Sequence, residues 1–202
     1  MLKKIFLELA AIFDQHGFSL YIVGGTARDY LLGLEVKDYD FVTDATPKQM
    51  KSFLVDANYT FERYGTVTYI FKKQKIDLVT LRKESGYGDY RHPQKIAFVK
   101  TLKEDYKRRD FTINALYIDM NLNVYDFTSG ISDLKQGLIR FIGCPKKRIK
   151  EDPLRIVRAE RFAKKLNFQI EAKTNKAIKK YYYLLEKINP HKIELEKSKE
   201  KA

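Results

Sequence analysis

The sequence predicts an α+β fold in its first part and an all-helical second part. Three patterns carry this: a strand, a glycine turn and a helix succeed one another over residues 20–32, further short strand-like runs follow, and from Arg148 onward the spacing is helical. A boundary near Gly143-Cys144-Pro145 divides the chain into 1–143 and 144–202.

At the start, Leu2, Ile5, Phe6, Leu9, Ile12 and Phe13 fall on one face of an amphipathic helix. Lys3, Lys4, Glu8 and Asp14 interrupt that run too often for a signal-peptide core or a membrane span. An apolar run over 20–23 stops at Gly24-Gly25 and gives way to a helix around 28–32, and 39–43 reads as a strand. Thr46-Pro47 opens a helix reaching Phe53 and Leu54, since proline suits a first turn. Strands are expected at 67–71, 76–81 and 96–99, with an aperiodic loop over 82–93 of a length that is often functional. Strands resume near 111–118 and 124–127; helices cover 152–166 and 174–185, and the last dozen residues fray. Tyr181, Tyr182 and Tyr183 either stack on bases or, as is commoner on an amphipathic helix, divide between core and surface.

Thirty-nine Lys and Arg against 26 Asp and Glu leave a net charge of +13, which suits a polyanionic partner such as nucleic acid or an acidic membrane surface. Cys144 is the only cysteine, so neither an intramolecular disulfide nor a thiolate metal cluster can form within one chain, and the cytoplasm is the natural compartment. His16, His92 and His191 stand far apart without a serine or cysteine signature, which argues against a hydrolase triad or a zinc site.

The chemistry concentrates in acidic residues. Asp38 and Asp40, two apart at a strand start, should project from one face, and two such anions repel unless a cation bridges them. Hard oxygen ligands of this kind suit Mg²⁺. A DxD alone is a common solvated strand end, but Gly24-Gly25 lies about a dozen residues earlier and lets backbone N–H groups approach a phosphate, with Arg28 one turn inside the helix. Cradle and carboxylates together make a metal–NTP site. Asp77, in the apolar run Ile76-Asp77-Leu78-Val79, must face a metal or a cation, and is the candidate third carboxylate for a second metal; a strand-end ion pair is the alternative.

Four ordered motifs, Gly24-Gly25-Thr26-Ala27-Arg28-Asp29, Asp38/Asp40, Arg108-Arg109-Asp110-Phe111-Thr112-Ile113-Asn114-Ala115 and Glu151-Asp152-Pro153-Leu154-Arg155, resemble the bacterial class II tRNA nucleotidyltransferase and poly(A) polymerase family. The resemblance implies a polymerase-β-type nucleotidyltransferase head with a mixed sheet over 1–143, then a helical neck. It implies template-independent addition to RNA, Mg²⁺ at Asp38 and Asp40, triphosphate contacts from Gly24, Gly25 and Arg28, and ribose and triphosphate contacts near Arg109, Asp110 and Asn114. The loop 84–93, with Asp89 and Arg91, resembles the flexible loop of tRNA-end enzymes.

Asp152, Arg155, Arg158 and Arg161 follow at intervals of three, and neighbours at that interval share a helix face. A carboxylate accepts and a guanidinium donates, so Asp152 with Arg155 complements the amino group and bare ring nitrogen of cytosine or adenine and refuses uracil and guanine. Arg158 and Arg161 then turn toward the triphosphate or the RNA backbone, or the whole row is a surface helix with ordinary ion pairs. The expected partners are ATP, CTP and a tRNA or other RNA 3′ end, with no membrane. The chain ends at Ala202, within or just after the neck, so RNA would be held by the basic surface, by a homo-oligomer or by a separate RNA-binding partner. A poly(A) polymerase, or an enzyme adding only CC or only A, is the alternative within the class. A noncatalytic RNA-binding module is the alternative outside it, weakened because no acidic position is lost.

Overall fold

The computed structural model describes residues 1–88 and 93–199. Asp89, Arg91 and His92, singled out in the loop, lie outside the described residues. In chain order the elements are α1 (Leu2–Gln15), β1 (Leu20–Ile22), α2 (Gly24–Leu31), β2 (Tyr39–Thr43), α3 (Pro47–Met50), β3 (Thr66–Phe71), β4 (Gln74–Thr80), β5 (Arg82–Tyr87) and β6 (Pro93–Phe98). Then come α4 (Leu102–Asp105), β7 (Leu116–Ile118), β8 (Val124–Asp126), α5 (Gly130–Gln136), β9 (Leu138–Ile139), α6 (Pro145–Glu151), α7 (Leu154–Leu166), β10 (Gln169–Ile170), α8 (Ala172–Tyr181) and α9 (Pro190–Ser198).

Two compact units form, each from three chain segments: 1–83, 96–108 and 114–127 in the first; 84–95, 109–113 and 128–202 in the second. The first unit is built on a six-stranded sheet of order β3-β4-β2-β1-β7-β8. Only β2 and β4 run parallel, and the other pairs are antiparallel, which is the expected mixed sheet. Helix α1 buries Leu2, Ile5, Phe6, Leu9, Ala10 and Phe13, and the Phe6 ring lies 5.3 Å from that of Phe41 on β2. Full burial of such side chains stabilises by roughly 1.5–3 kcal/mol each. On the other side Val23, Val42, Leu81 and Tyr117 form a second cluster.

Several expected elements differ. The capping box of Thr46 and Gln49 starts α3 as its residues predict, but the helix ends at Met50 because Ser52 and Phe53 bond three residues back instead of four. The expected loop from 82 contains β5 and is followed by β6, a pair without apolar alternation, so its strand signal lies in backbone bonding alone. The strand expected over 111–118 is a 3₁₀ turn at Thr112–Asn114 before the short β7.

In the second unit, the stretch after 144 is helical except for β10, which pairs in parallel with β9. The polypeptide can turn into that pairing because Asn167, at φ 54°, closes α7 in the left-handed region that asparagine tolerates. Phe111 stacks on Phe141 and meets Phe162 edge-on, at 5.0 and 5.7 Å. Tyr181 is buried whereas Tyr182 and Tyr183 are exposed. The C-terminal run is ordered as α9, with Pro190 in its first turn and Asn189 accepting from the His191 N–H. Among the described residues no helix is long and apolar enough to cross a membrane.

Candidate active site

In the first unit β2 and β4 place Asp40 directly beside Asp77 in parallel register, so the two carboxylates share a sheet face. Their flanking residues Tyr39, Phe41, Ile76 and Leu78 are buried, while both aspartates are half-buried. Asp77 accepts the Thr68 hydroxyl at 2.8 Å, a bond from the neighbouring strand. Asp38 lies on a bend one residue ahead of β2 and is exposed, so the strand spacing that paired it with Asp40 is only partly realised. What joins them is Thr26: its hydroxyl donates to the Asp38 carbonyl at 2.8 Å and accepts the Asp40 N–H at 2.9 Å.

Gly24 follows at the mouth of this arrangement. Its φ of +66° demands glycine, and a Cβ there would stand 3.6 Å from Asp40 Oδ2. Helix α2 begins at the same residue, and its first N–H groups lack helical partners. Among the described residues no three His, Cys, Asp or Glu side chains gather around one point. A cation held here would take one or two carboxylates from the protein and its remaining oxygen ligands from substrate phosphates, a ligand set of the kind hard divalent ions accept.

Arg28 is 3% exposed. Its Nη1 donates to Asn114 Oδ1 at 2.8 Å and its Nε to Asp29 Oδ1 at 2.7 Å, and a Cβ on Gly25 would come within 3.5 Å of Nη2. Gly25, Arg28 and Asn114 are thus brought together, with the guanidinium, ion-paired to Asp29 at 2.6 Å, buried under the glycine turn.

In the second unit the arginine row is heavily committed. Asp152 is not on the helix of Arg155: it closes α6 at φ −152° and ψ 99°, because the residue before a proline is driven out of the helical region. Its Oδ1 accepts the Leu154 N–H at 3.0 Å. Arg155 is 6% exposed, and its Nη1 donates to the Arg148 carbonyl and to Glu151 Oε2, both at 2.9 Å. Its Nε and Nη2 make no hydrogen bond among the described residues. Arg158 Nε donates to Asp110 Oδ2 at 2.7 Å, while Asp110 Oδ1 accepts the Phe111 N–H at 2.8 Å. Burial pushes the Asp110 carboxyl up, but Arg158, Arg155 and the Phe111 N–H outweigh it and leave its pKa below the ordinary value. Arg161, expected to turn toward triphosphate or RNA, instead holds Glu196 of α9 at 2.7 Å. Half-buried Arg109 offers its carbonyl to Arg148 Nη2 at 2.5 Å.

Residues 20–140 match the family model described as the poly A polymerase head domain, more than half of the 202 residues. The chain belongs to the poly A polymerase head domain family. The CCA-adding enzyme of Lactobacillus helveticus is 46% identical over 180 residues, covering 89% of this chain and 45% of that protein. That of Staphylococcus haemolyticus is 40% identical over 186 residues, covering 92% and 46%. The crystal structure of Bacillus stearothermophilus CCA-adding enzyme in complex with CTP superposes with a TM-score of 0.90 at 32% identity, covering 98% of this chain and 48% of that one. Thermotoga maritima CCA-adding enzyme complexed with tRNA gives 0.69 at 30% identity, covering 88% and 41%. The chain spans less than half the length of these relatives.

The fold expected of a poly A polymerase head domain is present, and two residues of the chain, one in each unit, escaped the sequence reading. Thr26 sits inside the quoted glycine motif, yet nothing in one sequence shows its hydroxyl reaching residues 12 and 14 positions away. Arg148 is 7% exposed and joins Glu151, the Arg109 carbonyl and Arg155. Burial and the neighbouring Arg155 lower its pKa. Its signal was lost in the basic run Lys146-Lys147-Arg148, although Glu151 three residues on falls on its side of a helix.

Proposed function

We propose that the chain catalyses template-independent nucleotidyl transfer from CTP and ATP to the 3′ end of RNA, and that the acceptor is tRNA receiving CCA in the cytoplasm. The observation that carries this is the acidic face on β2 and β4: Asp40 beside Asp77, Asp38 tied to Asp40 through Thr26, and Gly24 against the Asp40 carboxylate. Relatives named CCA-adding enzyme, and solved structures of such enzymes with CTP and with tRNA, support the substrate class.

Asp38 and Asp40 would hold Mg²⁺, which offsets charge on the triphosphate and favours the attacking oxygen. Gly24, Gly25 and the N–H groups opening α2 receive phosphate oxygens, with the buried Arg28 charge beneath, and Asp77 is the third acidic group. Arg109 and Asn114 contact ribose and triphosphate. In the second unit Asp152 supplies the acceptor and Arg155 the donors that select cytosine and adenine, and Glu151 with the Arg148 carbonyl holds Arg155 in one orientation. Asp110 and Arg158 brace that surface through their ion pair, and Arg161 braces it through Glu196.

The test is to incubate the chain with tRNA lacking its last three nucleotides and each NTP, and to sequence the 3′ ends. Addition of C, C and then A is expected, with UTP and GTP refused, and with activity abolished by EDTA and by Asp38→Ala or Asp40→Ala at unchanged folding. Full activity in excess EDTA would sink the reading. Long A tails from ATP alone would replace tRNA repair with poly(A) synthesis.

A further inference from the structure

The second unit contains a cleft of about 510 Å³ whose lining joins Glu151, the partner of Arg155, to lysines that the chemistry above does not use. One wall is β5 from Glu84 to Tyr87, and the other is the start of α6; the volume falls in the range of sites that hold a ligand of nucleotide size. Lys146, Lys147 and Lys150 line it and are exposed, on one side of α6 at intervals of three and four. None of the three has a carboxylate partner among the described residues; Lys150 lies 5.7 Å from the centre of the Tyr181 ring.

The acidic residues of the cleft do not cancel this charge. Glu151 is paired with both Arg148 and Arg155, and Glu84 Oε2 accepts the Tyr87 hydroxyl at 2.8 Å. Burial, then the charge and hydrogen bond of Glu84, push the Tyr87 pKa up to about 12. Arg155 stands 5.9 Å from the centre of that ring. The result is a row of flexible point charges beside an aromatic wall. A nucleic-acid strand matches both features, because its phosphates suit spaced ammonium groups and its bases stack on rings. A metal-bound triphosphate matches less well, since both carboxylates of the cleft are already engaged.

We propose that the cleft between β5 and α6 binds single-stranded RNA, taking phosphodiester groups on Lys146, Lys147 and Lys150 and a base against Tyr87. This rests on the reading that the acceptor is RNA, and it assigns a place on the second unit where the strand is held.

The experiment measures binding of the full chain to a fluorescent oligoribonucleotide ending in CC, by anisotropy across a salt series and without catalysis. Lys146→Glu/Lys147→Glu/Lys150→Glu should weaken binding by about tenfold or more and lower the log–log salt slope by about 2, since each single-strand phosphate contact contributes about 0.7. The KM for CTP should not move. Tyr87→Leu should weaken binding while leaving the slope unchanged. A photocrosslinker on Cys144, which lines the same cleft and is the only cysteine, should label the bound RNA in the otherwise native chain. Unchanged affinity and slope in the triple variant, no crosslink, or a raised KM for CTP with RNA binding intact would each overturn the assignment. RNA bound through the cleft by a chain that adds no nucleotide would refute the proposed function and leave this site standing.

Discussion

Thr26 donates to the Asp38 carbonyl and accepts from the Asp40 N–H, so one buried side chain sets where both carboxylates leave the backbone. Thr26→Val keeps the volume and removes both bonds. Activity or metal affinity should fall about 10–100-fold, the usual cost of losing a group that orients ligands. The magnesium concentration for half-maximal activity should rise, and Thr26→Ser should restore it; an unchanged magnesium dependence would reduce Thr26 to packing. Asp110 gives a second expectation. Its carboxyl is held below the ordinary value, so the folded chain binds that proton less readily than the unfolded one. The stabilisation is complete above the unfolded pKa of about 3.9 and is lost as pH falls through the lower folded value. Asp110→Asn should flatten the acid limb of the urea midpoint plotted against pH, and an identical limb in the variant would show that other groups carry it.

At the level of elements, α9 is fastened to α7 by Arg161 and Glu196, whose side chains are 10% and 9% exposed. Glu196→Ala leaves the guanidinium without its partner, and breaking a buried pair in this way costs about 3–5 kcal/mol. Hydrogen exchange over 190–198 should accelerate well beyond the rest of the second unit; uniform exchange would show that Ile188 and Ile193, packed with Leu154 and Val157, hold the helix alone. The charged composition of this segment had suggested fraying, because a helix fixed by one interior glutamate leaves little apolar periodicity. Similar reasons explain the other differences. Strand β5, Arg82–Tyr87, has no alternating apolar face, and β10 is two residues long. The α6–α7 break was missed, since the spacing by threes put Asp152 on one helix with Arg155, although Pro153 carries the local steric reason that ends α6 there.

For the whole molecule, the acidic and glycine motifs were readable because their chemistry is carried by short neighbouring segments. The +13 charge was readable too, but not its local concentration on one side of α6. Long-range register was not: the parallel pairing that sets Asp40 beside Asp77 joins positions 37 apart, and the partner of Arg158 lies 48 residues earlier. The same holds for the division of the chain, in which each compact unit is assembled from three separated segments. This interleaving constrains how such a protein can be recombined. A hybrid made with a relative through a single crossover would mix parental segments inside at least one unit, so partners selected together, such as Asp110 with Arg158, would come from different parents wherever the joint fell between them. Only exchanges at all five segment boundaries, or of the whole chain, keep each unit's own side chains together.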